Sequence, residues 1–336
     1  MKSSFKNHRQ GHHFGLLCAV LFLAALLSLL SPQFLTTRNI LNLLLQSSVN
    51  ALLAAGMTLV IITGGIDLSV GSILGLTAVV TARILQSPIP VPGAILGGLA
   101  LGAGLGIANG LVVIKGKIPP FIATLGMMTL SRGLALSLSG GRPVTGLPRE
   151  FLLLASSSVL GIPTPLWIVA AVYLAGTFLL ARTNLGRYIY AVGNNMKASR
   201  YAGCPVPTTI ITAYTLSGML AALAGMVLVA RLDSAQPVMG AGYELNAIAA
   251  VVVGGAALSG GAGNLGGTLL GAIMMAMITN AINILNISPF YAQILQGVLI
   301  LAALFVHSAG KSPSRSCITR HYGPGRGQKF QGGEEV

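Results

Sequence analysis

Apolar stretches long enough to cross a bilayer, about 20 residues each, follow one another along almost the whole chain. They are read at 14–31, 40–63, 68–85, 91–114, 118–138, 164–181, 209–230, 245–258, 265–285 and 289–307. Ten spans is the expectation, with the short eighth open to being a re-entrant segment. Only 8% of the residues are charged and the mean hydropathy is +0.81, where a soluble domain carries about 25% charge. A soluble enzyme is excluded. The expected fold class is all-α, a polytopic transmembrane helical bundle, divided into a tail at 1–13, a membrane domain at 14–307 and a basic, disordered tail at 308–336.

Twenty Lys and Arg stand against six acids, a net charge of +14. The basic residues are scattered between apolar runs and form no stripe with exposed aromatics, so nucleic-acid binding is not expected. Orientation by the positive-inside rule accounts for them better. With the N-terminus inside, fourteen of the twenty fall on inner segments. Arg38, Arg83, Arg132, Arg142, Arg149 and Arg231 fall outside or near an outer end. Both termini and the 182–208 loop are therefore expected in the cytoplasm, with the 139–163 loop outside. The first span is an uncleaved anchor, since it is long for a signal sequence and lacks a small-x-small cleavage pattern. Cys18, Cys204 and Cys317 are odd in number and far apart, and read as free thiols.

Two distant segments share the pattern G-G-x-x-L-S-x-G. They are Gly64-Gly65-Ile66-Asp67-Leu68-Ser69-Val70-Gly71 and Gly254-Gly255-Ala256-Ala257-Leu258-Ser259-Gly260-Gly261. A G-[ST]-[IL]-L-G run follows each (Gly71 to Gly75, Gly267 to Gly271), and an Asn-Ala pair precedes each (Asn50-Ala51, Asn246-Ala247). Glycine pairs in a membrane segment either let helices approach closely or interrupt them. Interrupted helices in matching positions line the path of many transporters. On that reading Asn50, Gly64, Gly65, Asp67, Ser69, Asn246, Gly254, Gly255 and Ser259 belong to a translocation path; close helix packing is the alternative. Asp67 is the one acid embedded between apolar spans. It is either functional or a cap on the following helix.

No phosphate-binding glycine loop, H-E-x-x-H or G-x-S-x-G motif occurs. L-S-G-G, at Leu138 to Gly141 and Leu258 to Gly261, resembles an ATPase signature without the loop that would go with it. His8, His12 and His13 are expected to be solvated. Any energy source must therefore sit on another subunit or in an ion gradient. The most informative soluble segment is 182–208, where Gly193 and Gly203 bracket a stretch that fits two helical turns. Such a helix is a candidate docking knob.

Longer runs carry a resemblance. They are G-M-T-L-V-I-I-T-G-G-I-D-L-S-V-G-S at 56–72, P-P-F-I-A-T-L-G-M-M at 119–128, N-L-G-R-Y-I-Y-A-V-G at 184–193, A-R-L-D-S-A-Q-P at 230–237 and G-Y-E-L-N-A-I-A-A-V-V-V-G-G at 242–255. In this order the chain resembles the permease subunits of bacterial ribose-type sugar ABC importers. The resemblance implies a type II-like importer permease in the inner membrane, paired with a second copy or a sister permease. It also implies an ABC ATPase on the cytoplasmic side, a periplasmic sugar-binding protein outside and a monosaccharide substrate. No cofactor belongs to this chain; ATP and Mg would sit on the ATPase. Gly193, Asn194, Ala198, Arg200 and Gly203 fall on the family's coupling loop. The chain departs from the pattern in having no acid at 195–197 and Asn246 where relatives often carry Asp. An ion-coupled secondary transporter or facilitator is the alternative from a different class.

Overall fold

The computed structural model describes residues 2–287, together with Tyr291, Ile294, Gly297 and Val298. Side chains are described from Gly15 onward. The helices in chain order are α1 (Lys2–Leu30), α2 (Thr37–Ile62), α3 (Val70–Leu85), α4 (Val91–Ile114), α5 (Pro120–Ser139), α6 (Arg149–Ser156), α7 (Thr164–Arg182), α8 (Asn184–Asn194), α9 (Met196–Tyr201), α10 (Val206–Leu232), α11 (Tyr243–Val253) and α12 (Leu265–Ile284). Four two-residue strands interrupt them: β1 (Val144–Thr145), β2 (Ser158–Val159), β3 (Ile162–Pro163) and β4 (Ser234–Ala235). The tenth expected span lies almost wholly outside the described residues, and the 308–336 tail entirely so.

Six described helices, α2, α4, α5, α7, α10 and α12, are long and apolar enough to cross a membrane. Two more of the expected spans are shorter helices in the structure. The third expected span begins only at Val70, after a turn, and leaves a 16-residue helix whose residues are nearly all buried. The eighth stops at Val253, where Gly254-Gly255 ends an 11-residue helix. An apolar helix surrounded by other helices gives the same hydropathy as one facing lipid. α1 runs 29 residues, Lys2–Leu30, and its part with described side chains is Gly15–Leu30.

Burial sorts the long helices into a centre and a rim. In α2, 89% of the most apolar window is buried and in α10, 72%, against 28% for α4 and 22% for α5 and α7. The rim helix α4 reaches the central α10 through glycines four apart. A Cβ on Gly102 would meet the Gly218 carbonyl, and one on Gly106 the Tyr214 carbonyl. With little hydrophobic force between helices in lipid, such backbone contact supplies the packing. Helix starts carry side-chain caps where the chain turns sharply: Thr183 for α8, Asn195 for α9 and Asn264 for α12 each accept a bond from the backbone N–H three residues on.

The segments outside the long helices are also paired. β1 and β4 join antiparallel, Val144 opposite Ala235, so the 139–163 loop and the turn after α10 form one surface. β2 and β3 close a hairpin beside it.

Candidate functional site

Both glycine breaks interrupt their helices, by different means. In the first, α2 ends at Ile62, Gly64 adopts φ +85°, and α3 restarts at Val70. Gly65 is pressed against the Tyr214 hydroxyl, which would lie 2.6 Å from an added Cβ. Asp67 is completely buried. Its Oδ1 accepts from the Ser69 N–H at 3.0 Å and the Ser69 hydroxyl at 2.5 Å, and its Oδ2 accepts from the Ser217 hydroxyl at 3.1 Å. Asn109 Nδ2 donates to Ser69 Oγ at 2.8 Å, and the Leu68 N–H donates to Thr124 Oγ1 at 3.1 Å. A carboxylate here satisfies three donors ahead of a helix that lacks a side-chain cap. In this conformation Asp67 fixes the turn and ties it to α4 and α10.

The second break follows α11. Gly254 has ordinary helical angles and Gly255 takes φ +89°. Gly260 and Gly261 are also left-handed, at +85° and +75°. Asn264 then caps α12 through the Gly267 N–H at 2.7 Å. Ala257 stands where the first break has Asp67, and Ser259, in the place of Ser69, is exposed.

The two breaks meet. The Gly261 N–H donates to the Ile62 carbonyl at 2.8 Å. A Cβ on Gly260 would lie 3.0 Å from the backbone of Gly64. The end of α8 is wedged against both: a Cβ on Gly193 would collide with the Ile62 carbonyl and the Gly261 nitrogen. Tyr190 donates to the Gly263 carbonyl at 2.8 Å, and Asn194 Nδ2 to the Tyr190 carbonyl at 2.9 Å. Three segments distant in sequence thus share backbone contacts at one end of the bundle, with α9 leaving directly from it.

The structure gathers Gly64, Gly65, Gly193, Asn194 and Gly261 at this junction, with Ser259 at its rim. Asn50 lies deeper in α2, with its Oδ1 buried and unpaired among the described residues. Asn246 is half-buried in α11, away from the junction's hydrogen bonds. The coupling segment differs from expectation in one respect. Gly193 does not precede a helix; it lies inside α8, and Asn195 breaks the chain before a six-residue α9. Gly203 follows that helix with φ +80°, and Ala198 N–H receives the Asn195 cap at 2.9 Å. Arg200 is exposed and Tyr201 is 92% exposed. Ser217, Asn109 and Tyr190 carry no local pattern in the sequence, because their partners lie far along the chain; the exposed Tyr201 has none either.

At the opposite end, Arg132 of α5 donates from one nitrogen to the carbonyls of Pro237 and Met239, both at 2.7 Å. It pins the segment between α10 and α11 against α3, where Gly71 and Gly75 leave room for it.

Comparisons with known proteins agree with this architecture. Residues 39–304 match the family described as branched-chain amino acid transport system / permease component. The chain is 49% identical over 294 residues to the ribose import permease protein RbsC of Escherichia coli K12, covering 86% of this chain and 92% of that one. Against RbsC of Bacillus subtilis the identity is 45% over 286 residues, covering 84% and 89%. Against the L-arabinose transport system permease protein AraH of Escherichia coli K12 it is 37% over 305 residues, covering 90% and 92%. Among solved structures, a metal-chelate type ABC transporter in an inward-facing conformation matches with a TM-score of 0.51 at 17% identity, over 90% of this chain and 100% of that one. That likeness is one of fold. Together with the broken helices and the helical bundle, these matches show that the chain belongs to the branched-chain amino acid transport system permease family, as a membrane-spanning permease subunit of an ABC importer.

Proposed function

We propose that this chain carries a monosaccharide of the ribose class into the cytoplasm across the bacterial inner membrane, as one half of a permease pair. The substrate class is supported by the similarity to ribose import permeases. The single observation that carries the mechanism is the α8 wedge: Gly193 touches both helix breaks, through Ile62 and Gly261. A push on α9 is delivered through α8 to both breaks at once, and the bundle has two discrete packings to move between.

On this reading both termini and α9 face the cytoplasm, in line with the excess of Lys and Arg on those segments. Tyr201 and Arg200 form the knob received by the ATPase, which alone holds ATP and Mg; this chain binds no cofactor. The Lys197 and Arg200 charges, with no acid at 195–197, call for carboxylates on the ATPase surface that meets them. The periplasmic sugar-binding protein docks on the opposite end, over the joined β1–β4 surface, the β2–β3 hairpin, Arg231 and Asp233. The path residues are Asn50, Gly64, Gly65, Asp67, Ser69, Asn246, Gly254, Gly255 and Ser259, the first break acting as its fixed wall.

The test is uptake of labelled D-ribose by vesicles holding this chain with its ATPase and binding protein. ATP-dependent accumulation is expected, with L-arabinose as a competing sugar. Accumulation by this chain alone under an ion gradient would overturn the reading.

A further inference from the structure

At the end of the bundle away from α9, three elements converge on a cavity of about 400 Å³ that is lined almost entirely by carboxamides. Asn39, Asn42 and Gln46 lie at i, i+3 and i+7 along α2, a spacing that puts them on one helix face. Asn280 and Asn283 come from α12, and Arg231 from the end of α10. Gln33 and Asn286 extend the rim. The floor is held rigid by a reciprocal amide pair. Asn39 Nδ2 donates to Asn280 Oδ1 at 3.1 Å, and Asn280 Nδ2 donates to Asn39 Oδ1 at 2.8 Å. Asn39 is further fixed by its bond to the Phe34 carbonyl at 2.9 Å. By contrast, the amides of Asn42, Gln46 and Asn283 make no hydrogen bond to protein among the described residues.

Polar side chains at a helix end near the headgroups are ordinary. That does not account for their convergence from three elements on one concavity, over a floor that uses up its own hydrogen bonds. Each free carboxamide offers a donor pair and an acceptor side by side. That matches a hydroxyl group, which gives and takes a hydrogen bond at one atom. Among the described residues no Asp or Glu lines the cavity, and Arg231 is its one charge. An anion site would gather several cations or backbone N–H groups; this set fits a neutral polyol. The volume lies in the range of small-molecule sites, about 300–1,000 Å³.

We propose that this cavity is an outer subsite where a monosaccharide is held by Asn42, Gln46 and Asn283 before it passes the breaks. The proposal rests on the sugar-import reading for its choice of ligand, and its own test reads binding rather than transport. Purified chain in nanodiscs is examined by saturation-transfer NMR with D-ribose as the probe. Transfer to the sugar is expected from the wild type. Asn42→Leu/Asn283→Leu removes two amides from exposed positions and is expected to weaken binding about tenfold, with an unchanged unfolding midpoint. Asn42→Gln is expected to retain most of it. Equal transfer from the double variant, or none from the wild type at millimolar ribose, overturns the subsite. ATP-driven ribose uptake by the wild-type complex is measured in parallel. Absent uptake with variant-sensitive transfer removes ribose as cargo and keeps the cavity as a polyol site.

Discussion

The two glycine breaks carry the same eight-residue pattern and behave as different devices. At 64–71 a single left-handed glycine is followed by a buried carboxylate that gathers Ser69 and Ser217, and helix α3 restarts at once. At 254–261 an alanine stands in the carboxylate's place, three glycines are left-handed, and α12 does not begin until Leu265. One break is cross-linked to its neighbours by polar bonds. The other is held chiefly by backbone contact with Ile62 and the end of α8. Pattern identity therefore says where a helix is interrupted, and the fourth residue together with the donors around it sets whether the interruption is locked. A transporter needs both kinds, since a moving segment must work against a fixed one.

The largest effect is expected where the two breaks share a neighbour. Gly193→Leu places a side chain into the Ile62 carbonyl and the Gly261 nitrogen, both backbone atoms that cannot swing aside. Overpacking of this kind costs about 3 kcal/mol, read as a lowered unfolding midpoint in detergent and as lost uptake. Gly193→Ala already carries the colliding Cβ and should uncouple ATP hydrolysis from uptake in the fraction that folds. Normal coupling in that variant would show that α8 does not connect the two breaks.

Removing the lock comes next. Asp67→Ala leaves the hydroxyls of Ser69 and Ser217 and the Ser69 N–H without their acceptor in a fully buried place. A loss of about 3 kcal/mol is expected. Asp67→Asn retains an acceptor oxygen and should lose less. The importer reading adds a sign to this: uptake by Asp67→Asn should follow its folded fraction, with no altered ion dependence. A changed dependence on proton or sodium gradients would reassign the carboxylate to coupling.

Much of the frame is legible in the sequence because its cause is local. The spans expected at 91–114 and 164–181 coincide with α4 and α7 to within a residue, since Pro90, Pro92 and Pro163 set their starts. The expected helix between Gly193 and Gly203 is present as α9. What escapes is whatever depends on a partner far along the chain. Ser217 lies 150 residues from Asp67, and Asn109 lies 40 from Ser69. Nothing in either's neighbourhood marks it. The same holds for the burial of α3 and α11 among other helices, which hydropathy does not register. The sequence places α8 in a soluble loop, although Gly186, Ile189 and Val192 recur every three residues and form its buried face. The repeated glycine pattern was visible at once, yet the contact between its two copies follows only from the fold.

A smaller effect tests backbone strain in the second break. Gly255 sits at φ +89°, a region that costs an L-residue roughly 1–2 kcal/mol. Gly255→Ala should lower the unfolding midpoint by that amount and slow uptake. Gly64, at φ +85°, has only the Ser259 carbonyl near its Cβ direction, at 3.8 Å. Gly64→Ala therefore isolates the same backbone penalty in the locked break. If the second break is the moving one, Gly255→Ala should impair uptake more than Gly64→Ala at equal loss of stability. Equal impairment would remove the distinction between them.

The smallest effects come from the paired serines, and they bear most directly on what the fourth position does. Ser69 is fully buried, donates to Asp67 at 2.5 Å and accepts from Asn109 at 2.8 Å. Ser69→Ala leaves the Asn109 amide short of an acceptor, and a cost of about 1 kcal/mol is expected. Ser259 occupies the equivalent place but is exposed, so water replaces what its hydroxyl loses. Ser259→Ala should change the unfolding midpoint by less than about 0.5 kcal/mol. Ala257→Asp should not raise the Ser259→Ala cost, because the exposed Ser259 hydroxyl keeps water as an alternative partner. If Ala257→Asp instead made Ser259 as sensitive as Ser69, a carboxylate alone would be enough to lock either break, and the surrounding donors would be incidental.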